Sequence, residues 1–493
     1  MSKSDNKNLL IFFLLAVILA IGILFRIYNI NHDDFWIDEM VSFWVSDPKI
    51  SIIDSYQRNN LSEGFPFLYN LLLKAVHKII GYEIYIGRYF SAIFGILSII
   101  SIGYLSRVIN NNKDKNTFIL TVFLVSFNVF LIKYSQEARA YSLVFFLSSL
   151  ILIFYCKSIL SYNKKDISKV NLALFIFFQV ISIILYPLII VIFFSIIIYS
   201  LIFFIKIKKI IKPLLYSLLL ILFFLLLYLP FYFDNIGPYP SWIQQPELKF
   251  YTDFYFTKYF GSRILGLIHI FILLFLIIKF RQKFLKNYNL EVLFLLIFIF
   301  SYLLPIIYGY LFEPILHQRY IIFTLIPVIL IISHLIFEIR NTTLKYLLVF
   351  TLTITTIGNQ LTEANFKQFF KEREFFKPEI SKAFEYIDKS KYKDFSFDKN
   401  LYTLGQNASG TNHNDEFAQR AVRNYMSKLI EKNNWKIKHI DPTLNKNNVN
   451  YLWIFCTELL IGSKCNKIEY KKKFKVLENK KFKKIIINLI KFE

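Results

Sequence analysis

The sequence predicts an all-α polytopic membrane bundle followed by a small soluble α/β domain. Three observations predict it. Of 493 residues, 55% are hydrophobic and 19% aromatic; the mean hydropathy is +0.46; and apolar stretches of spanning or near-spanning length recur up to residue 358 and then stop. A water-soluble globule of ordinary composition is excluded. The net charge of +24 would by itself fit a nucleic-acid binder. In an apolar chain, however, a basic excess belongs along the anionic cytoplasmic face of a bilayer, so membrane lipids and not nucleic acid are the expected partner. Three cysteines without a CxxC or a Cys/His cluster exclude a zinc ribbon, a thiol redox motif and a disulfide scaffold.

The first apolar run, Leu9 to Phe25, follows Lys3 and Lys7 and is closed by no small-residue cleavage site, so it reads as a retained span with a cytoplasmic N-terminus. With that span at 9–28, further stretches at 87–108, 117–132, 140–159, 170–186, 187–205, 213–230, 263–279, 289–306, 320–338 and 344–358 give about 11 helices. On this count the inner connections collect groups such as Lys164, Lys165 and Lys169, Lys206 to Lys212, and Lys279 to Lys286. They hold few acids, chiefly Asp114, Asp166 and Glu338. Every loop then obeys the positive-inside rule, as expected for a multi-pass protein of a bacterial inner or plasma membrane. The segment Phe67 to Gly81 is only about fifteen residues long and carries Lys74, His77 and Lys78. It is expected to lie in the outer interface instead of spanning.

After Gly358 the composition changes, dividing the chain into 1–358, with a first outer loop at 31–86, and an extracytoplasmic α/β domain at 359–493. The pattern predicts helices around 363–389 and at 415–432, with strands at 394–397, 435–440, 451–456, 473–477 and 483–490. Cys456 and Cys465 flank a turn-containing stretch on the oxidising side, leaving a disulfide and two free thiols as equal alternatives, while Cys156 in a span reads as packing.

The same threading puts four polar segments on the outer face: Asp33 to Met40, Lys133 to Tyr141, Asp234 to Arg263, and Tyr308 to Tyr320. In the first, D-D-F-W-I-D-E-M, Asp33 and Asp34 read as solvated loop charges. Asp38 and Glu39 lie among aromatics suited to the headgroup zone, where an idle carboxylate is poorly solvated and a base is better accounted for. In the second, Y-S-Q-E-A-R-A-Y, Glu137 and Arg139 sit within a few residues of hydrocarbon, where charges pair or bind something. In the third, E-P-I-L-H-Q-R-Y, the fork-shaped guanidinium of Arg319 suits phosphate oxygens, of a substrate or of any lipid. The long loop after Pro230, with Tyr239, Trp242 and Lys258, has the length to cover a substrate.

In order, W-I-D-E-M (36–40), F-P-F-L-Y (65–69), G-R-Y-F-S-A-I-F-G (87–95), Y-S-Q-E-A-R-A-Y (134–141) and H-Q-R-Y (317–320) resemble the GT-C glycosyltransferases. Within these, residues 9–340 are most similar to the family of the protein O-mannosyltransferases and the lipid A aminoarabinose transferase, glycosyltransferase families 39 and 83. The resemblance implies a polyprenyl-phosphate sugar as donor, a lipid, glycan or protein acceptor on the outer side, and inversion at the anomeric carbon. It implies Asp38 as base with Glu39 in the same motif, and it carries Glu137, Arg139, Tyr141, Arg319 and Tyr320 over as substrate-binding positions. Relatives commonly show a His or Lys before two prolines where this chain has Phe65-Pro66-Phe67, so a basic group is missing there.

Displacement of a phosphate needs no acid, only a base for the acceptor hydroxyl and cations for the departing phosphate. Arg139 and Arg319, joined by His317, are expected to supply the cations; Arg88 is a further candidate or a helix-end anchor. No organic cofactor is expected, and Asp38, Glu39 and Glu137 form the set that could share a magnesium- or manganese-type ion. The main alternative is a polytopic transporter, which would keep ionisable groups near the bilayer midplane. A nonenzymatic scaffold would account for the C-terminal domain but not for the motifs.

Overall fold

The computed structural model describes residues 3–62, 67–110, 114–162, 168–235, 243, 245–246, 256–286, 289–362, 364–371, 373, 375–396, 415–439, 450–457 and 474–493. They form two compact units, Met1–Tyr28 with Tyr89–Glu372, and Asn29–Arg88 with Arg373–Glu493. The loop between the first two long helices thus groups with the C-terminal chain.

The first unit is a bundle of apolar helices, and the chain is an integral multi-pass membrane protein. Each of the eleven apolar stretches of the sequence is helical. Among the described residues, six helices are long and apolar enough to cross a bilayer, or seven if one bent pair counts as a single span. The expected spans at 170–186 and 320–338 are the shorter helices Lys169–Leu185 and Ile322–Glu338. At 17 residues Lys169–Leu185 rises about 26 Å, short of a hydrocarbon core of about 30 Å. The helix Arg263–Lys279 is equally short, and Thr342–Thr362 is long enough but rich in Thr, Asn and Gln. Tyr141–Tyr162 is the most enclosed span, with 72% of its apolar window buried against 17% for Asn8–Ile27.

The bent pair, Lys115–Ser126 and Val129–Ser135, turns by 55°. A break inside an apolar bundle leaves carbonyls that no water can satisfy, and neighbouring side chains take them here. Arg26, fully buried, donates to the carbonyls of Val125 at 3.0 Å, Ser126 at 3.1 Å and Gly22 at 2.8 Å. Gln360 donates to the Phe127 carbonyl. Asn128 caps the second half by accepting from the Leu131 N–H at 2.9 Å. Gly95 makes the bend fit, because a Cβ there would lie 2.1 Å from Ser135 Oγ. The chain is thereby aimed into Y-S-Q-E-A-R-A-Y.

Elsewhere in this unit Lys283 donates to Glu291 at 2.7 Å and to Glu338, and the His334 ring lies 3.0 Å from Glu291. Among the described residues, Glu291, His334 and Glu338 are the one group of side chains spaced like metal ligands. The Lys283 ammonium bonds both acids and offsets part of their charge from within the chain.

In the second unit three helices follow the acid motif: Ile37–Val45, Ile52–Ser62 and Phe67–Ile80. Of the three basic residues on Phe67–Ile80, Lys74 and His77 turn inward, and Lys78 is exposed. Buried Lys74 donates to the carbonyls of Asp47 and, at 2.7 Å, Ile50 in the connection to Ile52–Ser62, while His77 Nδ1 lies 3.1 Å from Ser46 Oγ at the C-cap of Ile37–Val45. Burial pushes the His77 ring down to about 4, and it is neutral at physiological pH.

The C-terminal chain folds as the expected small α/β unit. Strands β1 (Asp394–Ser396), β2 (Lys438–His439), β3 (Tyr451–Thr457), β4 (Phe474–Phe482) and β5 (Ile485–Phe492) form one sheet in the order β2-β1-β3-β5-β4. β1 pairs in parallel with β2 and β3, and the β3, β5 and β4 pairings are antiparallel. β3 is buried on both faces, reading as a continuous apolar run. One face packs Leu452, Ile454 and Ile490 together; on the other, Phe384 of the helix Ile380–Lys389 stacks on Phe455 at 5.1 Å.

The helix expected at 363–389 is instead two, Ala364–Lys367 and Ile380–Lys389. Pro378 accounts for the break: its ring disfavours helical geometry at Lys377, and it cannot donate to a preceding turn. Cys156 is buried with a free thiol, whereas Cys465 lies outside the described residues.

The Arg26 contacts yield a first prediction. Arg26→Met leaves carbonyls of the broken span without donors and is expected to cost about 1–3 kcal/mol. The check is thermal unfolding of the purified protein in detergent; an unchanged melting temperature would contradict the role.

Candidate functional site

The acid motif lies in the second unit. Trp36 precedes the helix Ile37–Val45, which places Asp38 and Glu39 in its first turn, where carboxylates are favoured by the helix dipole. Asp38 is half-buried and Glu39 fully buried. A carboxylate without water needs cations. Arg88 grips Glu39 with two parallel bonds, Nε at 2.8 Å and Nη2 at 2.9 Å, and Lys377 adds Nζ at 2.6 Å. The remaining Arg88 donors reach the carbonyls of Ile30 at 3.0 Å, Asp33 at 2.6 Å and Asp34 at 3.2 Å, and its guanidinium lies 4.7 Å over the Phe35 ring. Burial alone would raise the Glu39 carboxyl, but Arg88 and Lys377 outweigh it and hold Glu39 down to about 2.

Asp33 and Asp34, expected as solvated loop charges, are buried instead. Asp33 accepts from Arg373 at 3.2 Å and from the Phe376 N–H at 2.7 Å. Asp34 accepts from the Ser381 N–H at 2.6 Å, from Ser381 Oγ, and from the Tyr425 hydroxyl at 3.1 Å. Burial pushes Asp34 up, against those hydrogen bonds. None of these C-terminal partners was found from the sequence. Pro378 is the one signal that could have marked the segment as something other than the helix expected there.

The other expected site residues lie in the first unit. Glu137, Arg139 and Tyr141 occupy the turn between Val129–Ser135 and Tyr141–Tyr162, and all three are buried. The turn is fixed by backbone contacts: the Arg139 N–H donates to the Glu137 carbonyl at 2.7 Å, Ser91 to the Arg139 carbonyl at 3.1 Å, and Ser142 to the Tyr134 carbonyl at 2.8 Å. Arg319 and Tyr320 come to the same place. The guanidinium carbons of Arg139 and Arg319 lie 5.9 Å and 5.8 Å from the centre of the same Tyr141 ring, and Arg319 is 5.3 Å from that of Tyr320. Tyr259 orders the loop before the span by donating to the Gln318 carbonyl at 3.1 Å.

His317 lies 5.4 Å from the Tyr320 ring. Burial, then the charges of Arg319 and Lys133, push its imidazole down to about 3, so it is a neutral hydrogen-bonding group and not a third cation. Tyr186, buried and 6.4 Å from Tyr320, completes an aromatic wall that the sequence left unmarked.

The expected residues thus gather in two sets. Glu39 and Arg88 are bonded to each other in the second unit, with Asp38 beside Glu39 in the chain; Arg139, Tyr141, His317, Arg319 and Tyr320 cluster in the first. Glu39 does not fit as a metal ligand, because both its oxygens are bonded to cations of the chain. Phe65, Pro66, Tyr239 and Trp242 lie outside the described residues.

No family profile and no curated protein matches this sequence. Solved structures do match in fold. ArnT from Cupriavidus metallidurans bound to undecaprenyl phosphate aligns with a TM-score of 0.56 at 10% identity, over 96% of this chain and 97% of that one. The Archaeoglobus fulgidus oligosaccharyltransferase, in complex with Zn and sulfate, aligns with a TM-score of 0.50 at 12% identity, over 90% of this chain and 67% of that one. Its apo form gives the same score and identity and is covered to 69%. The chain has the GT-C fold. Within that fold the helical bundle carries the guanidinium pair, and the loop Asn29–Arg88 carries the acids.

A pH prediction follows from the state of Glu39. Its folded value lies below its ordinary value of 4.5, so the Arg88 and Lys377 pairs stabilise the protein above that value. That stability is lost as pH falls from about 4.5 through about 2. Glu39→Gln is expected to cost about 3 kcal/mol at pH 7 and to flatten the acid slope of the melting temperature. A variant as stable and as acid-sensitive as the wild type would refute the pairing.

Proposed function

We propose that this protein is a membrane glycosyltransferase that moves a monosaccharide from a polyprenyl phosphate to an acceptor hydroxyl on the extracytoplasmic side. The observation that carries the reading is the pair of buried guanidiniums, Arg139 and Arg319, facing one Tyr141 ring. Forked, permanently charged guanidiniums match phosphate oxygens. The bound undecaprenyl phosphate of ArnT, on the same fold, supports that choice of anion.

In the proposed reaction Asp38 takes the proton of the acceptor hydroxyl, and the resulting oxygen attacks the anomeric carbon. The carbon–oxygen bond to phosphate breaks on the opposite side, with inversion, and polyprenyl phosphate leaves with the bonding pair. Arg139 and Arg319 stabilise the charge that grows on that phosphate, with His317 and Tyr320 as neutral partners. Glu39 and Arg88 hold the turn that carries Asp38. The acceptor is a lipid, glycan or protein hydroxyl. A divalent ion, if the reaction uses one, would fall to Asp38 or Glu137.

The transporter alternative draws little support. Arg26, the guanidinium inside the first span, is spent on backbone carbonyls instead of a pathway.

The test is to offer the purified protein polyprenyl-phosphate sugars one at a time and follow release of the lipid phosphate. Asp38→Asn is expected to lower kcat by about 10²–10⁴-fold with an unchanged melting temperature. Arg319→Ala is expected to weaken donor binding and turnover together. Full activity in a folded Asp38→Asn protein would remove the base assignment, and no release from any donor would refute the transfer itself.

A further inference from the structure

The acid motif is held by chain from the other end of the sequence. Arg373, Phe376 and Lys377, together with Ser381 in the first turn of the helix Ile380–Lys389, bind Asp33, Asp34 and Glu39. Charges balance across this contact: Asp33, Asp34 and Glu39 face Arg88, Arg373 and Lys377. Tyr425, from the helix Asp415–Asn433, accepts from the Phe35 N–H at 3.1 Å and stacks on Phe35 at 5.1 Å. A solvated acidic loop would need none of this.

We propose that Lys377 is a positioning residue of the transferase, closing the Arg88–Glu39 pair from the C-terminal chain and so fixing the helical turn that presents Asp38. Arg88 alone already satisfies Glu39 with a bidentate pair. Lys377 adds a second cation on Oε2 at 2.6 Å. What that adds is a tether: the first turn of the helix Ile37–Val45 is fastened to the chain that also grips Asp33 and Asp34. The C-terminal unit is on this reading part of the reaction apparatus and not only an acceptor-selecting appendage. The proposal rests on the transfer reaction proposed above for its kinetic consequence, though not for its structural one.

The test compares full-length wild type, Lys377→Gln and Lys377→Arg in detergent or liposomes, with two readouts. In turnover of a polyprenyl-phosphate sugar, Lys377→Gln is expected to lose roughly 100-fold in kcat, the scale of a misplacement of about 1 Å. Its donor KM should stay within about twofold, since the donor phosphate is assigned to other residues, and Lys377→Arg should recover most of the rate. In hydrogen exchange, residues 33–45 should lose protection in Lys377→Gln and keep it in Lys377→Arg. Wild-type kcat and exchange in Lys377→Gln would overturn the proposal. Equal loss in both variants with a collapsed melting temperature would overturn it too, assigning Lys377 to folding alone. If the wild type releases lipid phosphate from no donor, the transfer reading fails, while the exchange readout still decides whether Lys377 is the tether.

Discussion

A carboxylate removed from water must be given cations or be protonated, and the second unit is arranged around one such group. Glu39 is fully buried and ionised, so the chain has to bring charge to it from far away. Arg88 comes from the first turn of the second long helix and Lys377 from the C-terminal chain. Once Arg88 is held there, its spare donors dictate the path of residues 30–34, whose carbonyls converge on it. The buried positions of Asp33 and Asp34 then follow, since their side chains face the segment that carries Lys377. One ion cluster thus explains why the loop 29–88 and the chain after 373 form a single compact unit.

The bundle obeys the same rule with backbone groups in place of a side chain. A span that bends by 55° loses the hydrogen bonds of a turn, and in an apolar surround each lost bond costs far more than it would in water. Arg26 and Gln360 restore them from two distant places in the sequence, and Asn128, within the break, caps the helix that follows. The bend matters because it ends the helix early. Val129–Ser135 stops where a straight span would continue, and the freed chain makes the turn of Glu137, Arg139 and Tyr141. Arg26 spends its donors on carbonyls, whereas Arg139 and Arg319 flank a shared ring.

What could be read from the sequence was whatever depends on local order. Apolar periodicity located every long helix, and the alternation after residue 394 located the strands, because burial on one face or two leaves its period in the residues themselves. Which helices truly span was less legible, since Lys169–Leu185 and Ile322–Glu338 are apolar throughout yet short. Lys74 and His77 of Phe67–Ile80 were legible as marks of an amphipathic helix but not as inward-facing; they serve a helix end and the connection after it, more than twenty residues earlier. Asp33 and Asp34 misled for the same reason. A buried acid and a solvated one look alike until the partner is known, and Arg373, Ser381 and Tyr425 are more than three hundred residues away. Pro378 could have flagged the break in the helix expected at 363–389, but no local rule says that a break will hold a carboxylate.

The division of charge between the two sets of residues fits the demands of the chemistry. A sugar phosphate carries its own leaving group, so an enzyme acting on it needs cations that do not titrate, and guanidiniums meet that need where a histidine would not. His317 shows why: half-buried beside Arg319 and Lys133, its imidazole gives up its proton and can contribute a dipole but no net charge. The acceptor side needs the reverse, a carboxylate with a proton to receive. Among the four acids of D-D-F-W-I-D-E-M, Asp33, Asp34 and Glu39 are enclosed by donors from the C-terminal chain. Asp38, half-buried, sits in the first turn of a helix whose neighbouring acid is anchored twice.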